Sequence, residues 1–382
     1  MKALIFTVSI GAGHNKAAEA IGGVLEERGW TCKIVDTLQY INKAAHKIVV
    51  GTYLESVKFT PQLYGLLYRK AESGEGLADI SQVLNQLFSL RLQGLVEQFK
   101  PDIMVCTHPF PLQMLSILKG RRKFKAPVMA VLTDYAVHPF WVHRFVDAFV
   151  LPAEHLVHDL ALSGVNQKKI FPLGIPVNPR FLESVDRAAV YNDFGVNPDK
   201  PIILVMGGGL GFGSVEKVIG ALMDTPWDVQ ILAVAGDNKK LYDRLEEIAH
   251  STDKTLVPLG YTNQVGSLME IADVLVSKPG GLTVTEALIK HLPFAILSPI
   301  PGQEEQNSDF LLNNGLAVRL QKNNPVPALR QLLQNPLRLK QIREMAENLA
   351  KPTSTTAIAD LINTLATKHR NKKFIPASKN DV

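Results

Sequence analysis

The 382-residue chain has no run of 18 or more apolar residues, so its sequence offers no candidate transmembrane helix. It has only two cysteines, Cys32 and Cys106, which excludes a disulfide framework and fits a reducing cytoplasm. The first residues run directly into an apolar strand and a glycine turn, so we expect no cleavable signal peptide. Repeats and low-complexity tracts are also missing. These absences predict a cytoplasmic globular protein.

Three motifs of nucleotide and nucleic-acid chemistry are absent as well. No two aspartates stand two positions apart, so there is no Asp-x-Asp clamp for a metal-bound diphosphate. No glycine-rich loop ends in Gly-Lys-Ser/Thr, which excludes a P-loop. Aromatic residues are not interleaved with basic ones as in RNA-binding strands. We therefore expect neither a resident metal or cofactor nor a nucleic-acid partner.

The positive charge is unevenly distributed along the chain. Residues 1–180 carry a net +6 and residues 366–382 a net +4, whereas residues 181–365 carry −5. A basic half and a basic tail suit an anionic membrane surface. An ordinary solvated basic face is the alternative reading.

Apolar segments alternate with helical patterns, which is typical of parallel α/β layers. We predict two Rossmann-like domains facing a cleft, over residues 1–175 and 176–365, followed by a basic tail at 366–382. The predicted strands of the first domain are Ala3–Ser9, Ile103–Cys106, Val128–Thr133 and Ala148–Leu151. Those of the second are Ile202–Met206, Val229–Val234, Thr255–Leu259, Ala272–Val276 and Phe294–Ser298.

One segment, Ala44–Gly76, interrupts the first domain with mixed apolar and basic residues. It predicts either a membrane-facing or acceptor-covering lid, or an ordinary packed pair of helices.

The most informative motif is Ser277-Lys-Pro-Gly-Gly-Leu-Thr-Val-Thr-Glu286. A strand that ends at Gly280-Gly281 and opens a helix near Thr283 aims free backbone N–H groups at a ligand, which suits a diphosphate. Glu286 lies in or just after the first helical turn, where a carboxylate can bind both hydroxyls of a ribose. A plain β–α turn with a threonine cap is the alternative for the glycines alone.

Two further segments complete this predicted nucleotide-sugar site. Gln303, Glu304 and Asn307 follow the strand Phe294–Ser298 and form a polar cluster suited to sugar hydroxyls. The glycine-rich loop after Met206, with Gly208 and Gly209, would let phosphate or sugar approach the backbone closely.

In the first domain, Ser9-Ile-Gly-Ala-Gly-His14 closes the first strand and opens a helix. Gly11 and Gly13 permit a tight turn. The dipole at a helix N-terminus keeps the His14 imidazole neutral and able to take a proton. A polar cap is the alternative role for His14.

A second polar run, Thr133–His143, follows the strand that begins at Val128. Asp134 is either a carboxylate that orients a base or a helix cap, and Trp141 and His143 predict an acceptor platform. The histidines of this run lack a third ligand at zinc spacing.

Taken together, these motifs resemble those of the diacylglycerol glycosyltransferases, the monogalactosyldiacylglycerol synthases and the processive diacylglycerol β-glucosyltransferases. The resemblance covers residues 3–320, with a more distant likeness to the enzyme that adds N-acetylglucosamine to lipid-linked muramyl peptide. It rests on Gly11-Ala-Gly-His14, Thr133-Asp134 with Trp141-Val-His143, Pro279–Glu286 and Pro301-Gly-Gln-Glu304. It implies a GT-B glycosyltransferase fold, an inverting metal-independent mechanism and peripheral attachment to the inner face of the cell membrane.

Residue by residue, the resemblance implies that His14 is the base or acceptor-site histidine. It implies that Glu286 binds ribose, that Gly281 and Thr283 belong to the diphosphate loop, and that Gln303 and Glu304 read the hexose. His108 resembles the plant-type enzymes and Ser277-Lys-Pro-Gly-Gly the bacterial ones, so glucose and galactose both stay open.

The sequence therefore predicts a transferase that moves a hexose from UDP-hexose to diacylglycerol, on a membrane with anionic phospholipids. Three alternatives stay open: a transferase with a lipid-linked peptidoglycan precursor as acceptor, a UDP-sugar epimerase or hydrolase, and a non-catalytic nucleotide-sugar sensor.

Overall fold

The computed structural model describes residues 1–9, 11–41, 91–207 and 214–374. These residues form two compact units. The first unit holds the described residues up to 178 and those from 353 onward, and the second holds residues 179–352. The insertion Ala44–Gly76 and the glycines Gly208 and Gly209 lie outside the described residues.

The first unit is built on a six-stranded parallel sheet in the order β2-β1-β3-β4-β5-β6. Its helices are Gly13–Glu27, Thr37–Ile41, 91–99, Pro109–Gly120, Leu156–Leu162 and Ser354–Phe374, with short 3-10 turns at Pro139–Trp141 and Gln167–Lys169. Its strands are β1 (Lys2–Thr7), β2 (Thr31–Asp36), β3 (Ile103–Cys106), β4 (Val128–Val131), β5 (Ala148–Val150) and β6 (Ile170–Phe171).

The apolar strands of this sheet are buried on both faces because successive side chains point to opposite sides. Leu4 and Phe6 of β1 join one core, whereas Ala3 and Ile5 join the other. The helix Ser354–Phe374 contributes to the second core, with Ile358, Ala359, Ile362 and Ala366 fully buried. This packing assigns the helix to the first unit, which differs from the predicted division that placed residues up to 365 in the second domain.

The second unit repeats the architecture with the strand order β12-β11-β10-β7-β8-β9, again entirely parallel. Its helices are Arg187–Asp193, Ser214–Met223, Lys239–His250, Val265–Ile271, Gly281–Ile289, Gln303–Asn313, Val326–Leu333 and Pro336–Leu349, with a 3-10 turn at Pro179–Leu182. Its strands are β7 (Ile202–Met206), β8 (Gln230–Gly236), β9 (Leu256–Gly260), β10 (Val274–Ser277), β11 (Phe294–Ile296) and β12 (Ala317–Arg319).

All nine predicted strands are present, with ends that shift by up to two residues. The three strands that the sequence did not reveal, β2, β6 and β12, lie at sheet edges. Edge strands need less apolar surface, and β2 alternates irregularly between exposed and buried residues. Within the described residues, no helix is both long and apolar enough to cross a membrane.

Candidate active site

In each sheet, successive strands are first added on one side of the first strand and then on its other side, and this change of direction is the switch point. The predicted site residues follow the strands that flank it. In the first sheet β1 is paired with β2 on one side and with β3 on the other. In the second sheet β7 has the same position between β8 and β10. Ligands of doubly wound sheets bind at the carboxyl ends of the strands at such points.

In the first unit, His14 lies one residue into the helix Gly13–Glu27, after a turn in which Gly11 has φ +80°. A side chain is strained at that φ, so glycine suits the position. A polar network fixes the turn: Asn15 bonds Thr7 at 2.8 Å and Ser9 at 2.9 Å, and the Ser9 N–H donates to the Asp36 carboxylate at 2.9 Å.

The imidazole of His14 is held by its Nδ1 atom. Nδ1 lies 2.8 Å from the main-chain carbonyl oxygen of Thr107 and 2.8 Å from the hydroxyl oxygen of Thr133. A carbonyl oxygen only accepts, so the short contact with Thr107 requires the proton on Nδ1. In the neutral ring the lone pair is therefore on Nε2, the nitrogen that can take a proton from a ligand.

Thr107 and Thr133 are two residues of this site that the sequence did not single out as contacts. Both are buried, and the Thr107 hydroxyl also donates to the main-chain oxygen of His14 at 3.0 Å. Thr133 is the first residue of the polar run that the sequence analysis names, and Thr107 directly precedes His108, but the sequence assigned neither threonine a contact with His14.

His108 packs edge-on against His14, with ring centroids 4.8 Å apart. Its Nδ1 accepts a hydrogen bond from the main-chain N–H of Phe110 at 3.1 Å and so caps the helix Pro109–Gly120. The structure thus places two predicted site residues, His14 and His108, in contact after the carboxyl ends of β1 and β3.

Burial lowers the pKa of His14 below its ordinary value of 6.5, and the nearby Asp134 carboxylate opposes part of this shift. The pKa of His108 lies well below 6.5 because of burial and the adjacent His14. Both rings are therefore neutral near pH 7. Asp134, which follows β4, acts on His14 through its charge, while Thr107 and Thr133 orient the ring.

Trp141 and His143 were also predicted on the acceptor side, and they differ in exposure. Trp141 is only 3% exposed and packs in the core from the turn Pro139–Trp141. His143 is half-buried, burial lowers its pKa, and its Nε2 has no hydrogen-bond partner among the described residues. A role for either residue in acceptor binding stays a prediction.

In the second unit, the helix Gly281–Ile289 starts directly after β10, with Gly280 at its N-cap and no side chain capping it. Its first N–H groups are free to bind an anion, and its dipole favours negative charge there. Thr283 lies in the first turn and Glu286 in the second, and both side chains are half-buried.

The residues predicted to bind the hexose, Gln303 and Glu304, are the first two residues of the helix Gln303–Asn313. The Glu304 carboxylate accepts from the main-chain N–H of Ile300 at 2.7 Å, so it also stabilises the loop after β11. Burial lowers the pKa of Lys278, which precedes the glycine turn, and the Glu304 charge opposes this. The cluster thus lies near the glycine turn Gly280-Gly281, where the sequence predicts diphosphate binding.

Asn307 stabilises the glycine turn through a hydrogen bond to its main chain. Its side chain is fully buried, and its amide nitrogen donates to the carbonyl oxygen of Pro279 at 2.9 Å. The described contact is with the loop, and a direct bond to a sugar stays a prediction.

Replacing Asn307 by alanine should loosen this turn. The lost hydrogen bond leaves the Pro279 carbonyl unsatisfied, so we expect the free energy of unfolding to fall by about 1–3 kcal/mol and UDP-sugar affinity to fall with it. Thermal unfolding and calorimetric titration measure both. The matched control is Asn348→Ala, since Asn348 is exposed and bonds only within its own helix at 2.9 Å. Equal effects of the two substitutions would contradict the supporting role.

In the described part of the chain, no three histidine, cysteine or acidic side chains gather closely enough to hold a metal ion. The sequence likewise has no Asp-x-Asp motif.

Two family models match successive parts of the chain. The model described as monogalactosyldiacylglycerol (MGDG) synthase matches residues 14–177, and the glycosyltransferase family 28 C-terminal domain matches residues 202–365. The chain is 30% identical to a processive diacylglycerol beta-glucosyltransferase of Bacillus mycoides (strain KBAB4), over 98% of this chain and 96% of the relative.

Solved structures support the fold at much lower identity. The chain is similar to MurG of Acinetobacter baumannii, with a TM-score of 0.65 and 16% identity, covering 95% of this chain and all of that one. It is also similar to a UDP-GlcNAc 2-epimerase from Neisseria meningitidis bound to UDP-GlcNAc, with a TM-score of 0.61, 14% identity and the same coverage. The two parallel-sheet units are those of the GT-B glycosyltransferase fold.

Proposed function

Because this chain belongs to the family of diacylglycerol glycosyltransferases, we propose that it transfers a hexose from UDP-hexose to diacylglycerol with inversion at the anomeric carbon. The chain is a glycosyltransferase, and the product of the proposed reaction is a β-glycosyl-diacylglycerol. The observation that carries the proposal is the fixed tautomer of His14 at the switch point of the first sheet.

In the proposed reaction, His14 Nε2 takes the proton of the diacylglycerol hydroxyl as its oxygen attacks the anomeric carbon. The bond between that carbon and the diphosphate oxygen breaks, and its electron pair leaves with UDP. The proton on His14 then passes to water. The negative charge of Asp134 stabilises the imidazolium that forms during the transfer, and the Thr107 carbonyl keeps its hydrogen bond to Nδ1–H throughout.

The donor is proposed to bind at the carboxyl ends of β7, β10 and β11. The main-chain N–H groups in the first turn of the helix Gly281–Ile289 donate to the diphosphate and stabilise its charge as it leaves. Glu286 binds the ribose hydroxyls, and Gln303 and Glu304 bind the hexose. Gly208 and Gly209 are assigned to the same site by sequence alone. This arrangement supports catalysis without a metal, so a chelator should leave the rate unchanged.

Two alternative functions share this fold. The first alternative is an epimerase or hydrolase, since the fold is similar to that of a UDP-GlcNAc 2-epimerase. The second is transfer to a lipid-linked peptidoglycan precursor, since the fold is also similar to that of MurG. Neither of these similarities exceeds 16% identity, whereas the diacylglycerol glucosyltransferase relative shares 30% over nearly the whole chain. The family relationship therefore favours diacylglycerol as acceptor.

The test offers radiolabelled UDP-glucose and UDP-galactose separately, each with and without diacylglycerol vesicles. We expect labelled glycolipid with a β-linkage only when vesicles are present, and the preferred donor identifies the hexose. Free sugar or an epimerised donor formed without vesicles would instead support an epimerase or hydrolase. UDP-sugar binding without any turnover would indicate a sensor.

We also propose that the enzyme attaches peripherally to the inner face of the cell membrane through anionic phospholipids. The first 180 residues carry a net +6, and the described residues include an exposed basic loop at 121–125. The insertion and the end of the basic tail, which the sequence also implicates, lie outside the described residues.

Vesicle sedimentation tests this attachment. Each lysine or arginine near an anionic surface contributes about 1 kcal/mol, and the attraction decays over a Debye length of roughly 8–10 Å. Binding should therefore rise with the phosphatidylglycerol content and fall as salt is added. Neutralising Arg121, Arg122 and Lys123 with glutamine should weaken it, while glutamine at Lys239, Lys240 and Lys340 in the second unit serves as a matched control. Equal partitioning to neutral and anionic vesicles would refute the electrostatic attachment.

A further inference from the structure

The two half-buried imidazoles at the switch point of the first sheet are anchored through the same ring atom but by opposite partners. Nδ1 of His14 faces a carbonyl oxygen, that of Thr107, at 2.8 Å. Nδ1 of His108 faces a donor, the main-chain N–H of Phe110, at 3.1 Å. A carbonyl accepts and an N–H donates, so these two contacts specify different proton positions on the two rings.

For His14 the contact places the proton on Nδ1 and leaves the Nε2 lone pair free. The Thr133 hydroxyl oxygen, also 2.8 Å from Nδ1, then shares that proton as a second acceptor. For His108 the contact requires a bare Nδ1, so the neutral ring carries its proton on Nε2. The helix cap and the strand-end carbonyl thus select the tautomers before any ligand binds.

We infer that His14 and His108 are held in opposite tautomers, so that His14 offers a proton-accepting Nε2 and His108 offers an Nε2–H donor to one acceptor molecule. The rings pack edge to face with centroids 4.8 Å apart, so the two Nε2 atoms belong to one cluster. His108 then binds an oxygen of the acceptor while His14 removes the hydroxyl proton. The identity of that acceptor as a diacylglycerol rests on the proposed function.

The surrounding charges support this division of roles. His14 faces His108 from the end of β3 and Asp134 from the end of β4, and Asp36 at the end of β2 is bonded to the Ser9 N–H. Asp134 raises the pKa of His14, whereas His14 lowers the pKa of His108 further. When one proton enters the pair during the reaction, it stays on His14, and His108 remains a neutral donor.

The tautomers are measured directly by long-range ¹H–¹⁵N correlation spectra of the full-length protein labelled with ¹⁵N-histidine, at pH 7.5 and without substrate. His14→Gln and His108→Gln assign the two rings among the ten histidines. We expect the Nδ1–H form for His14 and the Nε2–H form for His108. The same tautomer in both rings would overturn the inference, whatever reaction the enzyme catalyses.

A pair of substitutions tests the donor role. The amide nitrogen of glutamine can reach the position of Nε2, whereas the amide oxygen of asparagine can take the place of Nδ1. His108→Asn therefore keeps the cap on Phe110 and loses the donor, and His108→Gln keeps the donor and loses the cap. We expect KM for diacylglycerol to rise roughly 5- to 10-fold in His108→Asn and to stay near wild type in His108→Gln.

Stability should change in the reverse order, since only His108→Gln loses the helix cap and its Tm should fall. A purely structural histidine would make KM and Tm change together in both variants, and that result would overturn the donor role. Unchanged UDP-hexose affinity in both variants serves as the control for the second unit. If no transfer to diacylglycerol occurs in the wild type, the proposed function fails while the spectra still decide the tautomers.

Discussion

His14→Ala should lower hexose transfer by about 10²–10⁴-fold and leave UDP-hexose affinity near that of the wild type. The loss follows because Nε2 of His14 is the nitrogen left free to take the acceptor proton. Donor affinity should stay unchanged because the residues predicted to bind the diphosphate, ribose and hexose belong to the second unit.

The pH dependence of the rate follows from the same residue. Since the pKa of His14 lies below 6.5, the wild-type rate should stay level down to below that pH and fall only as His14 is protonated. This fall at acid pH should be absent in His14→Ala.

Initial rates with diacylglycerol vesicles and calorimetric titration with UDP-hexose separate the two effects. His250→Ala is the matched control, because His250 is largely exposed and bonds only within its own helix. We expect this control to match the wild type in rate and affinity. If His14→Ala loses UDP binding together with transfer, then His14 does not act on the acceptor side.

Glu286→Ala should show the opposite pattern, with UDP-hexose affinity weakened by about 1.5–3 kcal/mol, or roughly 10- to 150-fold. The reason is the loss of charged hydrogen bonds to the ribose from a half-buried carboxylate in the second turn of the helix Gly281–Ile289. At saturating donor the rate should change far less, since the ribose does not react.

Titration with UDP alone measures this effect without interference from the hexose. Glu286→Gln should keep part of the affinity, because an amide oxygen still accepts a hydrogen bond but carries no charge. Glu344→Ala provides the control, since Glu344 is exposed and its nearest cation, Lys340, lies 3.8 Å away on the same helix. A donor affinity that is unchanged in Glu286→Ala would remove the ribose assignment.

Much of the fold could be predicted because parallel strands buried on both faces appear as short apolar runs with glycine turns after them. The runs Ile103–Cys106 and Ile202–Met206 were predicted with the bounds that the structure gives. Polar residues that follow such runs were expected to lie close together, since the ends of adjacent parallel strands meet at one edge of the sheet. His14, His108 and Asp134 were brought together by this rule.

Other features depend on contacts that local sequence does not encode. The His14 tautomer is fixed by the main-chain oxygen of a residue 93 positions away, and a carbonyl is present in every residue. The sequence predicted that Asn307 binds the sugar, which stays a prediction, but gave no sign that its buried amide bonds the Pro279 carbonyl. The helix Ser354–Phe374 follows the second domain in sequence, and only its apolar side chains, packed against the first sheet, reveal where it belongs.

Because of that helix, the second unit is an insertion within the first unit along the chain. The chain leaves the first unit near Val177 and re-enters it at Ser354. Hydrogen bonds join these two segments. The Thr355 hydroxyl bonds both the N–H and the carbonyl of Val177, and the Ser354 hydroxyl donates to the carbonyl of Ile175. A second unit taken from a relative and inserted between residues 178 and 353 would keep these hydrogen bonds and both cores of the first sheet. A chimera cut after a relative's last helix would instead strip the acceptor unit of Ile358 and Ile362. The two junctions are adjacent, so an exchange made at both of them keeps the helix Ser354–Phe374 packed on the first sheet.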